Sequence, residues 1–135
     1  MDIIWGDELK TGIPLIDDQH KFIVEALSGL RISKLKGAEL FQLLSDLQTY
    51  LSSHFELEEK YMKETNYPEY TIHKADHDKV LEDCKNILTQ NDKDYSPREV
   101  ALELIKYMKN WFIDHYSNVD VKMAEYLKQH LNEIN

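Results

Sequence analysis

Apolar residues recur every three or four positions through most of the chain, which is the spacing of one face of an α-helix. The longest stripe predicts a helix from about Ala38 to Glu64. Its members are Leu40, Leu44, Leu47, Leu51, His54, Glu58 and Met62. The stripe therefore predicts that a histidine and a glutamate face the core, where an unpaired glutamate is almost never found.

Three further stripes predict helices over about residues 17–34, 69–90 and from 97 onward. Their members besides histidines are Ile23, Val24, Leu27, Leu30, Tyr70, Val80, Cys84, Ile87, Leu104, Met108 and Trp111. The last helix opens with a capping box, in which Ser96 is the N-cap, Pro97 the first helical residue and Glu99 the third. Gly37, the turn Asn66–Pro68 and the polar run Asn91–Asp94 separate the helices.

The termini complete the predicted architecture. Residues 1–17 contain glycine and proline, and we interpret them as an extended arm anchored by Trp5, Ile13 and Leu15. Residues 121–135 begin with a helical pattern, either as a continuation or as a short fifth helix. Short loops favour antiparallel neighbours, so residues 18–120 predict an all-α, up-down-up-down four-helix bundle. The whole chain, 1–135, is expected to be one domain.

Charge and composition exclude several classes of protein. The 25 acidic residues outnumber the 16 basic ones, and the net charge of −9 argues against nucleic acid or an anionic membrane as partner. The N-terminal sequence has no apolar signal region and no run is long enough to span a membrane, so we expect a soluble, cytoplasmic protein. Cys84 is the only cysteine and is expected to be a buried thiol.

Five of the six histidines lie on the apolar stripes, together with two carboxylates. The seven candidates are His20, His54, Glu58, His73, His77, His115 and Asp120. His54 and Glu58 are four residues apart, as are His73 and His77, so the members of each pair point the same way. A neutral imidazole is the commonest metal ligand, and a buried carboxylate is costly unless paired or coordinated.

Seven ligands exceed what a single zinc or mononuclear iron ion needs, so the set predicts a centre of two metal ions. If both carboxylates and a hydroxide bridge two six-coordinate ions, one coordination position stays open for a small ligand. His115 and Asp120 are five residues apart, a spacing that turns them about 140° from each other on a regular α-helix. A local widening such as a π-bulge is therefore expected there.

The order of these residues resembles the signature of the hemerythrin family. The matching elements are Ile16–His20, His54-x-x-x-Glu58, His73–Asp78 with His77, His115-x-x-x-x-Asp120, Trp5 and Trp111. The resemblance covers almost the whole chain, and the chain looks like a stand-alone bacterial member.

The resemblance implies a non-haem di-iron centre that binds dioxygen reversibly, in an oxygen carrier, store or scavenger that is not an enzyme. His73, His77 and His115 would hold the coordinatively saturated iron, and His20 and His54 the iron at which O₂ binds. Glu58, Asp120 and an oxo or hydroxo group would bridge the two ions.

Phe112 departs from the family pattern, which commonly has a leucine three residues before the histidine at this point. Because residues three apart share a helix face, Phe112 is expected to line the O₂ pocket above His115. The ring is larger than leucine and would change the size of that pocket.

Three other functions remain open. A sensor of O₂ or redox state would act through a protein partner, which the sequence does not name. A di-iron oxidase of the ferritin-like class is less favoured, because those sites use Glu-x-x-His pairs and the chain contains none. A di-zinc hydrolase would need a general base, and we see no candidate beyond the ligands.

Overall fold

Four long helices form an antiparallel bundle. The computed structural model describes residues 4–32, 37–89 and 96–130, without the side chains of residues 30–32, 37 and 97. The helices are α1 Pro14–Ile32, α2 Gly37–Glu64, α3 Tyr70–Leu88, α4 Pro97–His115 and α5 Val121–His130. Because α1 and α3 each pack against both α2 and α4, these four make the bundle. The prediction of an all-α, up-down-up-down fold is confirmed, and the described ranges contain no strand.

Helix α1 begins at Pro14, a full turn before Asp18 and still ahead of Asp17. Gly12 has a φ of 91° and turns the chain, and the fixed φ of Pro14 suits the first helical position. The Asp17 carboxylate accepts hydrogen bonds from the Thr11 backbone N–H and hydroxyl, both at 2.7 Å, and from the Gly12 N–H at 3.1 Å. These bonds fix the entry into α1, which the apolar stripe alone did not locate.

The N-terminal arm is partly folded, where an extended segment was predicted. Asp7–Leu9 form a 3₁₀ turn, and Trp5 and Leu9 pack against the core. Of the predicted anchors, Ile13 is buried but Leu15 is 47% exposed, so Leu15 was assigned wrongly. It lies on the outer face of α1, because the helix starts before it.

The ends of the helices follow local chemistry. Asn66 has a φ of 55° and ends α2 in a Schellman motif: the Tyr67 N–H donates to the Met62 carbonyl at 2.8 Å. Ser96 Oγ accepts from the Glu99 N–H at 3.1 Å, as predicted for the N-cap of α4. Gly37, predicted as a breaker, is the first residue of α2. The predicted helix ends at Lys34 and Gln90, the polar run Asn91–Asp94, residues 131–135 and the side chain of Leu30 lie outside the described residues.

The bundle interior contains two apolar clusters with a polar layer between them. The large cluster takes side chains from α1–α4 and includes Leu27, Leu44, Phe55, Val80, Leu104 and Phe112. The small cluster closes the other end and consists of Ile13, Ile16, Met62, Tyr67, Met123, Ala124 and Leu127. Along each helix the predicted metal ligands fall at the boundary of these clusters. Within the described ranges, no helix combines the length and apolar character that crossing a bilayer requires.

Candidate metal centre

The structure brings all seven predicted ligands into one buried layer. Each of the four bundle helices contributes at least one of them, and Asp120 comes from the segment after α4. Their relative exposures are His20 0%, His54 2%, Glu58 0%, His73 1%, His77 0%, His115 3% and Asp120 1%. His130, the sixth histidine, lies near the end of α5, half-buried and stacked on Tyr126. Charged and imidazole groups this deeply buried require partners or metal ions.

The ligand atoms separate into two groups that share Glu58. One group contains three histidines and both carboxylates, and the other contains two histidines and Glu58; within each group the atoms lie within 4.8 Å of one another. The three-histidine pocket is formed by His73, His77, His115, Glu58 and Asp120. The two-histidine pocket is formed by His20, His54 and Glu58.

Glu58 divides its two oxygen atoms between the pockets. Oε1 lies 3.1 Å from His77 Nε2 and 3.3 Å from His73 Nε2. Oε2 lies 2.9 Å from His54 Nε2 and 3.4 Å from His20 Nε2. The carboxylate therefore spans the boundary between the two groups of imidazoles.

Asp120 is divided in the same way. Oδ1 lies 2.8 Å from His115 Nε2 and 3.3 Å from His73 Nε2, whereas Oδ2 lies 3.5 Å from His20 Nε2. The side chain can reach inward because Tyr116–Asp120 form a π-helical turn between α4 and α5. The widened turn predicted from the spacing of His115 and Asp120 is confirmed, and α5 continues directly from it.

Hydrogen bonds on the outer side of three imidazoles fix their tautomers. His54 Nδ1 lies 2.7 Å from Gln19 Oε1, and His77 Nδ1 lies 3.0 Å from Glu59 Oε2. His115 Nδ1 makes a short hydrogen bond to Asp76 Oδ2. Because these oxygens accept, each Nδ1 donates, and a neutral ring then presents the Nε2 lone pair to the centre.

The sequence did not identify these three acceptors. The position of Glu59 in an acidic stretch of α2 suggests a solvated side chain, but it is only 16% exposed and pairs with His77. Gln19, Glu59 and Asp76 each adjoin a predicted ligand in sequence, next to His20, Glu58 and His77. Adjacency on a helix does not imply contact, and each acceptor serves a histidine on a different helix, so only the packing of the bundle reveals them.

Several buried atoms lack the hydrogen bonds that a metal-free core would require. Among the described residues, the side-chain atoms Glu58 Oε2, Asp120 Oδ1, His77 Nε2 and His115 Nε2 have no hydrogen-bond partner. If these rings are neutral, their Nε2 lone pairs face carboxylate oxygens at 2.8–3.1 Å, a contact that needs a proton or a metal ion between the two atoms. Neighbouring octahedral ligands about 2.1 Å from a metal ion stand roughly 3.0 Å apart. The spacing of the cluster therefore fits metal ions.

The pKa shifts of Glu58 and His115 also indicate that the buried carboxylates need positive charge close to them. Burial alone would raise the pKa of Glu58, but the positive charge of His54 and the close contacts with the His20, His54 and His73 imidazoles hold it well below the usual range. Burial lowers the pKa of His115, yet the negative charge and close contact of Asp120 and the hydrogen bond to Asp76 raise it to about 10. Without metal, protons on such imidazoles supply the positive charge that the carboxylates need.

Aromatic rings enclose the layer. Phe112 is 3% exposed and makes an edge contact with the His20 ring, at a centroid distance of 5.3 Å. It also stacks with Tyr116 at 6.4 Å. On the other side, Phe55 stacks on His77 at 3.8 Å and Trp111 on His115 at 4.4 Å. Phe112 thus borders the two-histidine pocket.

The bundle and its buried cluster of histidines and carboxylates define a metal-binding four-helix protein, and comparisons with known proteins specify which kind. A family model described as the hemerythrin HHE cation binding domain matches residues 11–131, and the chain belongs to the hemerythrin family.

Relatives and solved structures agree with that assignment. The chain is similar to a bacteriohemerythrin of Stenotrophomonas maltophilia, with 29% identity over 133 residues that cover 97% of this chain and 85% of the relative. It is 30% identical over 115 residues to a bacteriohemerythrin of Methylococcus capsulatus, covering 84% and 86% of the two chains. A crystal structure of wild-type hemerythrin matches with a TM-score of 0.80 at 26% identity, covering 93% of this chain and 97% of that one.

Proposed function

We propose that the protein binds dioxygen reversibly at a non-haem di-iron centre, and that it does so without consuming the dioxygen. The observation that carries the proposal is the division of both carboxylates between two unequal groups of imidazoles. A carboxylate with one oxygen in each pocket is suited to bridge two metal ions. Glu58 and Asp120 are the proposed bridges.

The difference in the number of histidines between the two pockets leaves a binding position for O₂. His73, His77 and His115 would give one iron ion three nitrogen ligands, whereas His20 and His54 would give the other only two. With the same bridges on both sides, the second ion keeps one open position. The iron pair would supply the electrons and the coordination site with which hemerythrin-type centres hold O₂.

The residues around the two-histidine pocket favour binding over turnover. Phe112 borders His20 and is itself buried, so this side of the site has an apolar wall that limits the entry of water and anions. Among the described residues, the histidine and carboxylate side chains gathered at the centre are the proposed ligands themselves. None of these groups is left over as a separate acid or base for cleaving a bound substrate.

The number of iron ions bound per chain tests the di-iron part of the proposal. Metal-free protein, loaded with Fe²⁺ under anaerobic conditions and freed of excess metal, should contain two iron ions per chain. A reproducible content of one ion, or preferential retention of zinc from a mixture, would contradict the di-iron assignment. Steady O₂ consumption with an added reductant would instead favour the di-iron oxidase.

A further inference from the structure

The imidazoles of the two pockets differ in the hydrogen-bond acceptors of their Nδ1 atoms, which point away from the centre. In the three-histidine pocket, two imidazoles donate to carboxylates, His77 to Glu59 and His115 to Asp76. In the two-histidine pocket, His54 donates to the amide oxygen of Gln19. The Nδ1 atoms of the remaining imidazoles, His20 and His73, have no hydrogen-bond partner among the described residues.

This difference changes the donor strength of the ligands. An imidazole that donates to a carboxylate is a more basic ligand, because the negative acceptor draws the ring proton and increases electron density on the inner nitrogen. A neutral amide oxygen orients the ring but adds no charge. Glu59 is 16% exposed and Asp76 34%, so both charges are only partly screened by water. Lys74 lies 3.8 Å from Glu59, but its ammonium hydrogen-bonds Asp78, at 3.0 Å.

We infer that Glu59 and Asp76 are positioning residues that make the three-histidine pocket the tighter metal site, while Gln19 leaves the two-histidine pocket the weaker one. The centre then fills in a fixed order, with the three-histidine pocket first. The metal ion next to the Phe112 wall is the last to bind and the first to leave. This inference rests on the proposed two-metal function.

A stepwise metal titration separates the two pockets. The metal-free protein is titrated anaerobically with Co²⁺, which lies next to Fe²⁺ in the affinity order of divalent ions. A competing chelator and the visible absorption of bound Co²⁺ give one binding constant for each step. The wild-type protein should bind two ions in two resolved steps.

Three variants then assign the steps. In Glu59→Gln/Asp76→Asn, both amides keep an acceptor oxygen but lose the charge, so the first constant should fall by about 10–100-fold while the second changes little. Gln19→Glu adds a charged acceptor to the other pocket and should tighten the second step alone. The control, Glu56→Gln/Asp114→Asn, removes the same net charge from exposed positions outside both pockets. It should leave both binding constants unchanged.

The ratio of the two constants distinguishes tuning from loosening of the fold, because a loosened bundle weakens both steps together. An unchanged ratio in Glu59→Gln/Asp76→Asn, or a first constant equal to that of the control, would overturn the inference. Saturation of the wild-type protein at one Co²⁺ ion would instead contradict the proposed two-metal function. If the protein binds two Co²⁺ ions but Gln19→Glu changes neither binding constant, the outer acceptors do not set the affinities. The proposed two-metal function would still stand.

Discussion

His115 Nε2 and Asp120 Oδ1 lie 2.8 Å apart although the two residues are five positions apart on continuous helix. The π-helical turn Tyr116–Asp120 closes this gap, since its hydrogen bonds join residues five apart. The turn lets one helix deliver an imidazole and a carboxylate to the same point. It also leaves α5 free to close the end of the bundle with Met123, Ala124 and Leu127.

Glu58 should be the least replaceable of the seven ligands, because its two oxygens contact imidazoles of both pockets. We expect Glu58→Ala to lose both iron ions, as measured by elemental analysis after anaerobic loading. Removing a partner from a buried charged cluster also leaves imidazoles unpaired, so the metal-free protein should lose about 3–5 kcal/mol of stability.

Lys60→Ala is the matched control, because Lys60 lies on the same helix but is 66% exposed. It should retain two iron ions and a stability within about 0.5 kcal/mol of the wild-type protein. Retention of two ions and a normal visible spectrum by Glu58→Ala would remove the bridging role of Glu58.

The sequence predicted those features that depend on the periodicity of a single helix. The stripe through α2 placed His54 and Glu58 in the core, and the five-residue spacing of His115 and Asp120 required a widened turn; both are observed. Features that depend on contacts between helices were missed. Glu59 and Asp76 look like surface acids until the packing of α2, α3 and α4 places them against His77 and His115.

The start of α1 shows a different limit. Apolar periodicity locates the buried part of a helix but not its first turn, which is set by backbone hydrogen bonds and capping. Here Pro14 and the carboxylate of Asp17 extend α1 upstream of its stripe, and Leu15 consequently faces solvent.

Phe112 should control how long the bound dioxygen survives. Phe112→Ala is expected to speed autoxidation and tighten azide binding at the two-histidine pocket, because it removes the ring that contacts His20. The truncation should cost about 3–5 kcal/mol of stability, with little change in iron content.

Leu104→Ala provides the comparison for Phe112→Ala. Leu104 is 0% exposed on the same helix, roughly three turns before His115, so its truncation weakens the core without opening the site. Autoxidation rates and azide affinities that are the same in the two variants would mean that Phe112 acts only as a core residue.

The Tyr116 hydroxyl should hold the N-terminal arm. It donates to the backbone carbonyls of Glu8 at 2.9 Å and Lys10 at 3.2 Å, and burial raises the pKa of the phenol above its usual value. Tyr116→Phe should cost about 1 kcal/mol and speed amide exchange around residues 8–11, with the visible spectrum unchanged. Tyr107→Phe loses a hydrogen bond to Asp83 instead and should leave exchange in the arm as it is. Equal exchange in both variants would show that the arm is held by its apolar contacts.

Asn66 should be needed for its backbone conformation. Its φ of 55° is in the left-handed region, where a residue with a Cβ is strained and asparagine is tolerated better than alanine. In urea unfolding, Asn66→Ala should cost about 1 kcal/mol, whereas Asn66→Gly should stay within a few tenths of the wild-type value. Asn110→Ala, at an exposed position inside α4, should not destabilise the protein. If Asn66→Ala leaves the stability unchanged, the turn does not need a residue that tolerates the left-handed conformation.

Reversible uptake of dioxygen is the most direct test of the proposed function. The reduced protein, loaded with two iron ions per chain, is followed by visible absorption as air is admitted and then removed under vacuum. We predict a charge-transfer band that appears in air, corresponds to one O₂ per iron pair, and disappears under vacuum over repeated cycles. Failure of the fully loaded protein to develop the band, or a band that vacuum does not reverse while O₂ consumption continues, would contradict reversible binding.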